Sequence, residues 1–126
     1  MLITSIPKYI QNIKNAKADL TGTGVVTLYT APSGADFNAT VISSILVSED
    51  SGNADTITVT ITNGSTVFSL FKVKAVGANG TVELLTRDLV LQGGEILKVT
   101  AATGNRLHVV ASVQEFAQNR NTTSGI

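Results

Sequence analysis

General acid–base and nucleophilic catalysis need groups whose neighbours tune them, and this chain offers a single histidine, His108, and no cysteine. His108 stands between Leu107 and Val109. In an alternating strand it faces away from both, which reads as a surface or interface histidine rather than a catalytic base. No Gly-x-Ser-x-Gly elbow marks a serine as nucleophile. No catalytic residue is assigned, and the chain is expected not to be an enzyme. The stretch Glu49-Asp50-Ser51-Gly52-Asn53-Ala54-Asp55 gathers three carboxylates and an amide, hard oxygen ligands of the kind calcium takes. It lacks the alternating Asp-x-Asp-x-Asp-Gly order of a helix-loop-helix calcium site, so a solvated turn between strands is expected, with no metal and no cofactor. Asn38, Asn63, Asn79 and Asn121 each begin an Asn-x-Ser/Thr triplet. With no signal peptide expected at the start of the chain, these are better read as turn chemistry than as glycosylation sites.

The elements that would carry these residues follow from composition. Apolar residues make up 43% of the 126-residue chain and charged residues only 14%. The surface must therefore be covered largely by Thr, Ser, Asn and Gly, which suit pleated strands and tight turns. At this length folding supports one core. Nine Lys plus Arg balance nine Asp plus Glu, so no long-range field draws the chain to nucleic acid or to an anionic membrane. Nothing approaches the roughly 18 apolar residues of a membrane span, and no small-molecule substrate is indicated.

Asp55 to Thr62 alternates strictly, with Ile57, Val59 and Ile61 on one face and threonines on the other. Asn63-Gly64 then supplies a two-residue turn into a second β-rich run, Thr66 to Ala75, so residues 55–75 are predicted to form a hairpin. Gly- and Asn-rich punctuation recurs and divides off further strands near 25–30, 39–48, 82–86, 89–91, 96–101 and 106–115. Leu107, Val109, Ala111 and Val113 are the predicted core face of the last one. Short strands at regular spacing, with no helical pattern between them, indicate an all-β antiparallel sandwich of jelly-roll or Greek-key type, with seven to eight strands. Phe68 and Phe71, three apart in a strand, are expected on opposite faces. If both are buried, that strand is covered on two sides, one cover being a neighbouring subunit or the N-terminal arm.

The sandwich is assigned to residues 16–116, between an N-terminal arm or short helix over 1–15 and a flexible polar tail over 117–126. Ile6, Tyr9, Ile10 and Ile13 follow helical spacing behind Ser5 and Pro7, yet Ala16, Ala18 and Leu20 alternate as a strand does. Both readings stay open. These four apolar residues are the candidate assembly contacts.

Leu28-Tyr29-Thr30-Ala31-Pro32, the run Ile42 to Val47, the run Leu89 to Leu97 through Gly93-Gly94, and the closing run Val109 to Phe116 together resemble a small β-sandwich of tailed-bacteriophage virion proteins. Where that pattern commonly has Asn after the second run, this sequence has Ser48. The resemblance implies a virion component, made in the host cytoplasm and assembling with copies of itself and with the major capsid protein or other virion proteins. A capsid decoration, or cement, protein is the first expectation, and a tail, neck or fibre part the second. A glycan-binding sandwich is a third, weakened by a chain with 5% aromatics and no Trp.

Overall fold

The computed structural model describes the backbone of residues 8–119 and the side chains of residues 12–117. Among the described residues there are nine strands: β1 (Lys8–Leu20), β2 (Val26–Thr30), β3 (Phe37–Glu49), β4 (Asp55–Asn63), β5 (Thr66–Val76), β6 (Thr81–Glu83), β7 (Leu89–Leu91), β8 (Ile96–Ala101) and β9 (Leu107–Asn119). No helix among them is long and apolar enough to cross a membrane.

The strands form two antiparallel sheets. A front sheet runs β1-β9-β3-β6, with β7 also on β3, and a back sheet runs β2-β8-β4-β5. β6 pairs Leu46–Ser48 and β7 pairs Thr40–Ile42. They are two halves of one strand, broken over residues 84–88. With that strand counted once, the pairing is nested around the β4·β5 hairpin: β3 with β6/β7, β2 with β8, β1 with β9. Nested pairing wrapped into two sheets is jelly-roll order.

The core forms where the alternating faces meet. Ile57 and Val59 of β4, Leu97 and Val99 of β8, and Val109 and Ala111 of β9 are all fully buried. The predicted face of the last strand, Leu107 through Val113, lies in this core. The hairpin forms too, but its turn sits one residue later than expected. Asn63 pairs with Thr66, and Gly64 takes the positive φ of 62°, the first central position of a type II′ turn.

Residues 8–20 resolve the choice left open in the sequence. They form one extended strand that pairs residue for residue with β9, from Lys8↔Asn119 to Leu20↔Leu107, and the helical alternative over 8–13 is not taken. A helix this short has too few internal hydrogen bonds to persist alone, whereas β9 supplies a full ladder. β1 passes residue 16 without interruption, and β9 continues through Asn119.

β5 also departs from simple alternation. Its register with β4 slips between Ile57 and Val59 and again between Val59 and Thr60, so β5 carries two bulges. Val73 sits at φ 53° and its N–H bonds Thr58 Oγ1 at 3.0 Å. Phe68 and Phe71 lie opposite Ile61 and Val59 and so share the inner side, not opposite faces. Phe71 packs on the core while Phe68 is half exposed, so the conditional two-sided burial of this strand does not occur.

One glycine is fixed by packing rather than by backbone angle. A Cβ on Gly104 would collide with the carbonyl oxygen of Thr21, where the 102–105 turn crosses the loop after β1, beside the Asn105 N–H bond to Leu20 O at 2.9 Å. Gly104→Ala is therefore expected to destabilise the domain by about 1–3 kcal/mol, read as a lower urea midpoint at unchanged slope.

Candidate functional site

The polar groups of this sandwich converge on three carboxylates, and each is used to tie strands together. Glu115 of β9 joins the two sheets. The hydroxyl of Tyr29, from β2 in the back sheet, donates to Glu115 Oε2 and lies 2.8 Å from Thr40 Oγ1. Lys14 of β1 approaches Oε2 at 3.0 Å and also lies over the Tyr29 ring. Asn12 donates to Oε1 at 3.0 Å. Burial by itself would raise the Glu115 pKa, but the hydrogen bonds from Tyr29, Lys14 and Asn12 and the Lys14 charge outweigh it and hold the carboxyl below its ordinary range. Burial, reinforced by the bond to Glu115, pushes the Tyr29 phenol up.

Glu83 does similar work at the bulge in β3. It accepts from Ile45 N at 2.7 Å, from Leu85 N at 3.2 Å and from the Ser44 hydroxyl. These bonds overcome the effect of burial and lower its pKa. Glu49 opens the acidic 49–55 stretch, expected from the sequence to be a solvated turn. Its carboxylate is buried and accepts from Asn79 N at 2.9 Å, Ser51 N at 2.6 Å, Gly52 N at 3.1 Å and the Ser51 hydroxyl. Burial opposes the charge, but these donors prevail and bring the pKa down to about 2. Glu49 thus serves as the fixed acceptor that folds two turns against each other. Asp55, at the other end of the stretch, accepts from Thr103 N at 3.0 Å.

All three carboxylates are more acidic folded than unfolded. The stability they contribute is complete above the ordinary carboxylate pKa of 4.5 and is lost as pH falls through the folded value, about 2 for Glu49. The urea midpoint is expected to hold steady at neutral pH and to fall between pH 4.5 and pH 2. A midpoint unchanged across that window would contradict these assignments.

His108 lies on the outer face of the front sheet, half exposed, directly across from Asp19 of β1. Its Nε2 is 3.2 Å from Asp19 Oδ1 and its Nδ1 is 3.6 Å from Asp50 Oδ2. Both carboxylates are more exposed than the ring, so this is a bridge on an open sheet surface. Among the described residues no cluster of three or more His, Cys, Asp or Glu forms a metal-holding group.

The rest of that outer face is low in charge. One row across the sheet reads Val90, Val41, Gln114, Ile13, and another reads Leu46, Val110, Lys17. Between them lie Ser44, Ser112 and Asn15. Of the predicted assembly contacts, Ile13 is on this face and 69% exposed. Tyr9 and Ile10 occupy β1 opposite Gln118 and Ala117, and Ile6 lies outside the described residues. Three-and-four spacing groups these four on a helix and has no such meaning in a strand. Sequence reasoning missed Leu46, Val90 and Val110, because an outward Val or Leu looks the same as an inward one until register is known.

No protein-family model matches the chain, and no curated protein matches it. Solved structures do share its fold. A chain of the acidic stable capsid of Helicobacter pylori bacteriophage KHP30 superposes with TM-score 0.51 at 11% identity, over 91% of this chain and 99% of that one. A chain of the Bacillus endospore appendages, a family of disulfide-linked pili, gives 0.53 at 7% identity, over 91% and 94%. A chain of infectious bursal disease virus, Gx strain, gives 0.51 at 11% identity over 93% of this chain, which spans 34% of that longer one. At these identities the likeness is one of fold.

Proposed function

We propose that this chain is a structural subunit of a phage virion, a decoration (cement) protein carried in many copies on the head and held there by the major capsid protein. The observation that carries this reading is coextension. The jelly roll takes up nearly all the described residues, and it matches a chain from a phage capsid almost end to end in both directions. Fold by itself does not assign function. The surface adds a second argument, because a sheet face with exposed apolar residues and few charges suits broad protein contact better than a ligand pocket.

Quantitative mass spectrometry of separated heads and tails tests the proposal. Near-stoichiometric copies in heads are expected. Presence only in tails would replace this reading with that of a tail, neck or fibre subunit, for which the coextensive pilus chain is the supporting observation.

In this reading Ile13, the one of the four N-terminal candidates whose side chain is described, contacts the shell from the outer face of β1. Ile13→Lys is expected to change stability by no more than about 0.5 kcal/mol, because Ile13 is 69% exposed, yet to reduce the amount of protein retained on heads. Equal retention of the variant and the native chain would remove Ile13 from the contact.

A further inference from the structure

Nine large apolar side chains are exposed among the described residues, and all but Val25 fall into two groups. Four of them, Val67, Phe68, Leu70 and Val73, lie on β5 at the edge of the back sheet. Four others, Ile13, Leu46, Val90 and Val110, lie on the outer face of the front sheet. One chain thus exposes apolar side chains along the β5 edge of the back sheet, with Phe68 on its inner side, and on the outer face of the front sheet.

Their charges differ in sign. β5 carries Lys72 and Lys74 and no carboxylate between Thr66 and Val76. The outer face of the front sheet ends at Asp19 and Asp50, with side chains 67% and 65% exposed on either side of His108. Leu46 and Val110 sit opposite each other in the neighbouring row, with Lys17 beside them.

β5 is also poorly suited to pairing with another β5. Two bulges break its ladder, and lysines on an edge strand oppose a second copy of the same edge. Its side chains are available even though its backbone edge is guarded.

We propose that β5 of one copy docks on the outer face of the front sheet of the next. Leu70 and Val73 would cover Leu46 and Val110, and Lys72 and Lys74 would meet Asp19 and Asp50. Such a contact is heterologous, one surface meeting a different surface, so it propagates from copy to copy and closes into a ring or extends as an array. It leaves the Ile13 margin for the shell. The inference rests on reading the chain as a many-copy structural subunit and names the surfaces by which the copies meet.

Reciprocal charge exchange in the full chain tests it, with association followed by sedimentation velocity over a concentration series and folding checked by thermal melts. One variant carries Lys72→Glu and Lys74→Glu, the other Asp19→Lys and Asp50→Lys. The native chain should associate with rising concentration. Each variant alone should associate roughly tenfold or more weakly, because like charges then face each other. An equimolar mixture should recover association, since each variant's altered surface complements the other's. A native chain monomeric throughout, either variant associating as the native chain does, or a mixture no better than its components would overturn the proposal. Unperturbed association of the variants by a chain found abundantly on heads would overturn this inference alone. Recovery in the mixture by a chain absent from heads would instead overturn the decoration role and leave the contact standing.

Discussion

Leu97→Ala is expected to lower the unfolding free energy by about 2–5 kcal/mol, the range for a buried leucine reduced to alanine where the surroundings cannot collapse into the space. Leu97 is fully buried in β8, the second strand of the back sheet. Tyr29 of β2 and Ile61 of β4 stand directly opposite it on either side, so the residues that would have to close the cavity are themselves held by ladders. A domain of this kind has about 5–15 kcal/mol of stability in total, so this one change could remove a large share of it. The loss should appear in chemical denaturation as a lower midpoint at constant slope. A loss below about 1 kcal/mol would mean that the two sheets can close on the space, contrary to the fixed packing described.

Glu115→Ala is the second large effect, expected at about 2–3 kcal/mol, because truncation removes the shared acceptor of three donors, the buried Tyr29 hydroxyl among them. The interaction differs from Leu97 in what it holds. Glu115 is where β1, β9 and the back sheet meet through Lys14, Asn12 and Tyr29, so its loss should loosen β1 more than the rest of the domain. Hydrogen exchange should quicken in β1 and the facing part of β9 while β4 and β8 stay protected. Glu115→Gln, which keeps an acceptor but not the charge, should cost less than Glu115→Ala. Uniform acceleration across both sheets would show that Glu115 does not act locally on β1.

The fold was legible where local signals agree. Ile57, Val59 and Ile61 alternate with threonines, Gly- and Asn-rich turns bound the strands, and Leu107 through Val113 mark a core face, because each of these patterns depends only on nearby residues. Legibility ended where a distant partner decides. Residues 8–13 have spacing that suits either a helix or a strand, and the choice falls to β9, about a hundred residues away in sequence. A period of two sets Phe68 and Phe71 on opposite faces, and the bulges in β5 interrupt that period.

The candidate site was harder still to read. Tyr29 and Glu115 are 86 residues apart, and although each lies in a run that carries the family resemblance, nothing in either run pairs the two. Glu49 sits in a loop whose acidic composition suggests a cation, yet its carboxylate is taken up by backbone N–H groups. On the sequence alone residues 8–15 belong to an arm or short helix, and deleting 1–15 would be a test of docking. Within β1 they belong to the front sheet, and the deletion would uncover the edge of β9, an aggregation hazard in its own right. Substitution at Ile13 separates docking from folding where the deletion does not.

The central claim, a many-copy virion subunit built as one jelly roll, is tested most directly by reconstruction of purified virions by electron cryomicroscopy. The account predicts two-sheet density fitting β1–β9 at symmetry-related positions over the head surface, with the Ile13 margin toward the shell. Heads without such density, in virions whose protein content lacks this chain, would contradict it.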